Sequence, residues 1–191
     1  MSRAAPLALA LCLLSAAALA TGSGFISYTK LSYSYSPRDI AYAGGSGELW
    51  TEIGGNPFAV PQADFDQAVT DAMYAAHAGP PTKFTTNPGP TARRMFHVRL
   101  LFNGPPSNSS LICAGPPPAV PAPSGGSFTL YAAFCQDADS LAFLQAQGDS
   151  FSSPTDPDFR EFIRQVTAHL FPPQNPQLFR NSPGSCRQNN C

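Results

Sequence analysis

The chain has 191 residues and a formal net charge of −1 at pH 7, with 11 Lys and Arg against 12 Asp and Glu. This length suits one domain. A charge so close to zero provides no basic surface for nucleic acid or for anionic lipid, so both partner classes are excluded. The 14 Phe supply apolar mass for a core, while 21 Pro and 15 Gly predict long, stiff loops.

The first 20 residues have the layout of a secretory signal peptide. Arg3 gives a positive start, residues 7–14 form an apolar stretch, and residues 18–20 read Ala-Leu-Ala, which fits a signal-peptidase site. The alternative is an uncleaved anchor, because residues 4–20 reach the short end of a bilayer span. The favoured interpretation is cleavage, with no stable membrane span afterwards.

The composition indicates the source of the chain. Arg outnumbers Lys nine to two, and Ala and Pro are abundant, which is typical of a GC-rich bacterial genome. Export from such a cell leads to the periplasm or to the extracellular space.

The cysteines beyond the predicted leader indicate two disulfides. Their number is even, which in an exported chain favours disulfides over catalytic thiols or a metal site. Three pairings are possible, and we favour Cys113 with Cys135 and Cys186 with Cys191. No Cys-x-x-Cys or Cys/His spacing fits zinc, so we predict no metal and no cofactor.

The chain falls into four segments. After the signal peptide at 1–20, residues 21–47 are rich in Ser, Tyr and Gly and predict a flexible leader, although alternating Tyr and Leu leave an edge strand open. Residues 48–176 form the predicted single domain. Residues 177–191 read as an irregular tail.

Within the domain, periodicity of two predicts strands. Around the central stretch 95–102, Phe96 and Val98 alternate with His97 and Arg99, as in a half-buried strand. Residues 137–148 are ambiguous between a short helix and a last strand. The other predicted strands are residues 48–53, 83–86, 110–114 and 127–135.

Two amphipathic helices are predicted. Residues 62–78 repeat apolar side chains at helical spacing, and residues 157–171 do the same after an Asp156 cap and Pro157 in the first turn. Trp50 is expected to be a buried core anchor. The predicted fold is therefore α+β, with an antiparallel sheet of about four strands covered by two helices and stabilised by disulfides.

Common catalytic motifs are missing from the sequence. Residues 44–48 read Gly-Gly-Ser-Gly-Glu, which lacks the last Gly of a serine-hydrolase elbow and precedes the first predicted domain strand. Phosphate-binding glycine patterns are absent. Catalytic residues therefore stay unknown.

Scattered polar residues leave a rival interpretation open. His97 and Arg99 share the polar side of the central strand and could form a site with Arg93 or His169. The alternative to such a site is that His97 has no functional role and is either packed in the fold or exposed to solvent. A cation site is a further possibility, built from the acids Asp137, Asp139, Asp149, Asp156 and Asp158.

A resemblance to other proteins bears on where the protein lies in the cell and not on its chemistry. The series NPF, an amphipathic helix, RLLFN, LICAGP, YAAFC and DPDFREFIRQVTAHLFPPQNP, within residues 48–176, resembles small exported proteins of proteobacteria with no assigned activity. The element order is also similar to envelope accessory domains of the penicillin-binding-protein activator type, a likeness of fold alone.

The sequence therefore favours an exported, non-enzymatic envelope protein that binds a partner or acts as an accessory factor, with an envelope protein as one candidate partner. The rival is a hydrolase or metal-dependent enzyme whose residues include His97, Arg99 and Asp137.

Overall fold

The computed structural model describes residues 22–116 and 127–180. A short 3-10 turn, Gly44–Ser46, follows the first helix. The elements in chain order are β1 (Ser23–Leu31), α1 (Pro37–Ala43), β2 (Glu48–Gly54), α2 (Gln62–Met73), β3 (Lys83–Thr85), β4 (Phe96–Phe102), β5 (Phe128–Gln136), β6 (Asp139–Asp149), α3 (Pro157–Leu170) and α4 (Pro176–Arg180).

Six strands form one mixed sheet in the order β1-β6-β5-β4-β2-β3. The pairs β1–β6, β6–β5 and β5–β4 are antiparallel, whereas β2 runs parallel to both β4 and β3. The α+β class is confirmed, but the prediction of about four antiparallel strands is wrong. A period of two gives a strand's faces and not its direction. The parallel pairs arise because α2 lies in the crossover from β2 to the strands that follow it.

The helices cover one face of the sheet and close the main core. Phe65 of α2 meets Phe102 of β4 edge-to-face, with ring centroids 4.9 Å apart. Phe159 of α3 packs against Phe58 at 5.0 Å. Aromatic pairs at these separations add to the stabilisation from apolar burial. The helix-facing side chains of β4 and β5 all belong to this core: Phe96, Val98, Leu100, Phe102, Phe128, Leu130, Ala132 and Phe134.

Helix α2 is shorter than its apolar stripe predicts. It ends at Met73, where Tyr74 turns extended and Ala75 takes a positive φ of 54°. His77 consequently lies in a loop, packed between Phe84 and Phe171. The stripe continued past the helix end because a loop that re-enters the core also carries apolar residues.

The segment read as a flexible leader contributes α1 and the edge strand β1, which is the alternative that the sequence left open. Strand β1 pairs with β6 over its whole length, but a bulge between Ile26 and Tyr28 shifts the register. A bulge breaks strict alternation, which removes the pattern that identifies a strand. Gly24 faces Gly148 across the pair, and a Cβ on Gly24 would lie 2.2 Å from the Phe162 ring.

The structure also decides three segments nearer the C-terminus. Residues 139–149 form strand β6, which resolves the helix-or-strand ambiguity. Residues 110–114, expected as a strand, form a turn instead. Their apolar side chains, Ile112 and Cys113, are buried because the turn packs onto the sheet. The predicted irregular tail begins with α4, and Cys186 and Cys191 lie outside the described residues.

Candidate functional site

The face of the sheet opposite the main helices carries a second apolar cluster under the connection from β4 to β5. The expected Cys113–Cys135 disulfide is present, with a Cα–Cα distance of 5.7 Å, and it ties this connection to β5. The residues of this second apolar cluster come from β4, β5, β6 and the turn at residues 110–114: Leu101, Ile112, Cys113, Tyr131, Ala133, Cys135 and Phe143.

A buried ion pair lies beside that cluster. Arg99 of β4 pairs in register with Glu52 of β2, and its Nε donates to Glu52 Oε2 at 2.6 Å. Arg99 Nη1 also donates to the Ile112 carbonyl at 2.8 Å. The side chains are only 4% and 14% exposed. Arg99 therefore holds the turn of residues 110–114 against the sheet, and its charge is already neutralised.

His97 lies two residues before Arg99, on the same face of β4. Its ring centroid is 5.1 Å from that of Trp50, and its Nε2 is 3.8 Å from Glu52 Oε2. Neither ring nitrogen has a hydrogen-bond partner in the structure as described. Burial lowers the pKa of His97; Glu52 and Asp137 oppose this shift, while Arg99 reinforces it. Burial thus disfavours the charged form of the ring.

Trp50 is not the fully buried anchor that the sequence suggests. It is half-buried, and its partner is His97 on this second face rather than the main core. Strand alternation explains the placement, because Leu49 and Ile53 already point to the helices.

Arg93 and His169, which were also named for the predicted polar site, do not join His97 and Arg99, whereas Asp137 lies near enough to affect the pKa of His97. Arg93 lies over the Tyr42 ring, 4.0 Å from its centroid, and donates to the Tyr42 carbonyl. His169 is exposed in the last turn of α3, which packs on the opposite face. The structure therefore separates Arg93 and His169 from the buried pair.

The acids proposed for a cation are also apart. Asp139 begins β6 and Asp149 ends it, so about 33 Å of extended strand separates them. Asp156 caps α3 by accepting from the Asp158 amide at 2.9 Å, and its pKa is lowered mainly by hydrogen bonds from Ser152. Among the residues that the structure describes, no cluster of three His, Cys, Asp or Glu could hold a metal.

A polar cleft of about 650 Å³ lies at the end of β1, and we call it the serine cleft. Three walls enclose it: the turn after β1, the turn near Ser110, and the β5–β6 hairpin. Its lining is Lys30, Leu31, Ser32, Tyr33, Ser34, Ser109, Ser110, Gln136, Ala138, Asp139, Ser140, Leu141 and Gln177.

The first wall is fixed by the segment that follows α3. The buried Asn175 amide donates to the Ser32 carbonyl at 2.9 Å and to the Tyr35 carbonyl at 3.1 Å. Gln177 donates to the Leu31 carbonyl at 2.9 Å. The Tyr35 hydroxyl donates to the Pro172 carbonyl. The pKa of Tyr35 is raised, mainly because the side chain is buried. The turn is therefore tied down at several points.

The second and third walls share one covalent link. Asn108 accepts from the Ser110 amide at 2.9 Å and shapes the turn. Cys113, three residues later, is bonded to Cys135, the residue before Gln136. The hairpin itself turns through Asp137, whose φ is 50°, a conformation that Asp tolerates. The disulfide thus sets the spacing between Ser110 and Gln136.

Several polar groups of the serine cleft have bonding capacity left over. Lys30 donates to the Ser109 hydroxyl at 3.0 Å, and Gln177 uses its NH₂ group. The Asp139 carboxylate and the Ser110 hydroxyl belong to exposed residues, and Gln136 is half-buried. Tyr33 exposes 68% of its surface. Sequence reasoning missed this site because its residues come from four separate segments; the concentration of Ser and Tyr at 32–35 was the only signal.

A second groove, of about 380 Å³, runs between α2 and β3. It contains Asp66, whose pKa is raised mainly by burial, together with Asp71 and Lys83. Lys83 is engaged by Glu48 at 3.2 Å. Phe84, the middle residue of β3, is only 3% exposed and therefore offers little surface to a ligand in this groove. The groove is therefore a weaker candidate than the serine cleft.

No protein-family model matches the chain, and no curated protein matches it. In the described ranges, none of the helices has the length and apolar character needed to cross a membrane.

Proposed function

We propose that the protein is an exported, non-enzymatic binding module and that the serine cleft is its binding site. The observation that carries the proposal is the contrast between the cleft's lining and its frame. The lining presents hydroxyl, amide and carboxylate groups to an open space of about 650 Å³. The frame is rigid, with a disulfide and the Asn175 hydrogen bonds behind it.

A rigid cleft with polar groups favours binding, because little conformational entropy is lost when a ligand arrives. The chemistry of the lining also favours binding over catalysis. General acid–base work needs paired titratable groups within reach of one another. The carboxylate of the cleft belongs to Asp139, while His97 is buried against Trp50 outside the lining.

The proposed setting is the periplasm or the cell exterior. It rests on the signal-like residues 1–20 of the sequence and on the Cys113–Cys135 disulfide, which persists in oxidising compartments. The proposed partner is accordingly a component of the cell envelope that reaches into the serine cleft.

The test is retention of the purified chain by isolated envelopes of the producing bacterium. Ser34→Trp and Ser110→Trp each place an indole at an exposed position of the lining and should abolish retention. Ser23→Trp is the matched control, because Ser23 is exposed at the far end of β1 and does not line the cleft.

The expected result is retention of the wild type and of Ser23→Trp, with the bound component recovered chemically unchanged. Equal retention of all variants would show that the cleft is not the binding site. Recovery of a cleaved component, in amounts that grow with incubation time, would favour the hydrolase alternative instead.

A further inference from the structure

We infer that the serine cleft takes an uncharged saccharide, with Tyr33 as a stacking platform; this rests on the proposed function and names the ligand class of the same site. The inference comes from three properties of the lining: its hydrogen-bonding groups, its charge and its exposed aromatic ring.

The hydrogen-bonding groups match a chain of hydroxyls. A sugar hydroxyl both donates and accepts, and neighbouring hydroxyls on a ring are well bound by groups that offer both functions close together. The Gln136 side chain offers an amide donor and a carbonyl acceptor, Asp139 offers carboxylate oxygens, and Ser34 and Ser110 offer hydroxyls. An apolar ligand would leave these groups without partners, at a cost in affinity.

The charge of the lining disfavours ionic ligands. Its charged members are Lys30 and Asp139, which cancel, and Lys30 already donates to the Ser109 hydroxyl. A polyanion such as a phosphate chain would meet the Asp139 carboxylate with one engaged lysine in compensation. A polycation would meet Lys30. A neutral ligand avoids both penalties.

The ring of Tyr33 provides the apolar element that saccharides require. The C–H faces of a sugar ring are apolar although its rim is polar, and they pack on flat aromatic surfaces. Tyr33 is 68% exposed, and it lies between Ser32 and Ser34 in the turn that Asn175 holds. Because the backbone of the turn is already held, stacking on this ring needs to order only the Tyr33 side chain.

The size of the cleft sets the length of the ligand. A volume of about 650 Å³ lies in the range of pockets that enclose drug-sized ligands. Two or three linked sugar rings fit that description, so longer chains should gain nothing beyond this length.

The test is a magnetic-resonance titration of the purified chain with chitotetraose and, separately, with maltotetraose. The first carries the N-acetylated rings of wall glycan, and the second the plain rings of a glucan. Binding of either should shift the backbone amides of Ser34, Ser110 and Gln136 at millimolar ligand. Which of the two binds identifies the source of the saccharide.

Substitutions of tyrosine distinguish the loss of ring stacking from a disturbance of the fold. Tyr33→Ala should weaken binding by about tenfold, while Tyr33→Phe should retain it, because a phenyl ring stacks as well as a phenol. Tyr28→Ala is the control, since Tyr28 is an exposed tyrosine of β1 that does not line the cleft. An unchanged affinity for Tyr33→Ala would overturn the stacking role.

The outcomes also separate this inference from the proposed function. If the blocking variants abolish envelope retention and neither tetrasaccharide binds, the saccharide assignment is wrong and the binding module stands. If envelope retention does not depend on the cleft and neither tetrasaccharide binds, both fail. Binding of tripolyphosphate at the same amides, in place of a saccharide, would overturn the assignment of an uncharged ligand.

Discussion

Arg99 and Glu52 face each other in register across β4 and β2, with Arg99 Nη2 2.5 Å from Glu52 Oε2. The same guanidinium reaches the Ile112 carbonyl in the turn that leads to the disulfide. One buried side chain therefore joins two strands of the sheet to the segment that carries Ser109 and Ser110. The polar face predicted from the sequence acts as a support for the serine cleft.

Glu52→Gln should lower the free energy of unfolding by about 3 kcal/mol. Removing one partner of a buried pair leaves the other charge uncompensated, and such losses are typically about 3–5 kcal/mol. The measurement is urea unfolding followed by fluorescence of Trp50, the single tryptophan of the chain.

The matched control for that substitution is Glu161→Gln. Glu161 also pairs with an arginine, Arg164, at 3.4 Å, but both side chains are more than half exposed. Exposed pairs contribute at most about 1 kcal/mol, so this variant should unfold nearly as the wild type does. Equal destabilisation of the two variants would contradict the role assigned to burial.

Stability should fall as the pH drops from about 7 to about 5. Burial lowers the pKa of both His97 and His77, so the unfolded chain takes up protons near pH 6.5 while the folded chain does not. Stability from this source is full above pH 6.5. It is lost as the pH falls toward the lowered folded values, with a slope of at most about 1.4 kcal/mol per pH unit for each group.

Histidine substitutions show which residues cause that pH dependence. His97→Gln and His77→Gln should each flatten the loss of stability between pH 7 and pH 5. Thermal unfolding measured at several pH values is sufficient, and a flat profile in the wild type would refute the assignment.

The parts of the fold that follow a regular period could be predicted from the sequence. Strand β4 and helix α3 were placed almost to the residue, because Phe96 to Phe102 alternate and α3 has an Asp156 cap with Pro157. Strand β1 is only an open alternative in the sequence, since its bulge after Ile26 interrupts the alternation. The period of apolar residues identifies the buried face of a single strand or helix. A bulge or other irregularity interrupts that period, so the element is harder to recognise.

The candidate site could not be predicted because it depends on long-range contacts. Asn175 and Ser32 are separated by 143 residues, and Lys30 and Ser109 by 79. No local pattern connects such residues. His97 and Arg99 were noticed since they share a strand face, but their partner Glu52 comes from another strand that only the parallel pairing brings beside them.

Loss of the disulfide through the pair Cys113→Ala and Cys135→Ala should lower the free energy of unfolding by about 3 kcal/mol. The bond closes a loop with a sequence separation of 22 residues, and closure of a loop of that size constrains the unfolded chain by about this amount. Urea unfolding of the double variant measures the loss. A wild type treated with a reductant provides the comparison, and an unchanged midpoint in both would contradict the prediction.

Asn175→Ala should cost about 2 kcal/mol of unfolding free energy and should also weaken ligand binding in the serine cleft. The substitution leaves the buried Tyr35 carbonyl without its amide donor, and an unsatisfied buried group costs about 1–3 kcal/mol. The Ser32 carbonyl loses the same donor but still accepts from the Tyr35 backbone N–H at 3.1 Å. Released from Asn175, the turn that carries Tyr33 must be ordered by the ligand, so affinity should fall even at temperatures where the variant is fully folded. Asn87→Ala is the control, because Asn87 is exposed and distant from the lining. Calorimetric unfolding and the saccharide titration, run on both variants, check the two effects separately. A destabilised Asn175→Ala that binds with wild-type affinity would show that the turn orders itself without this residue.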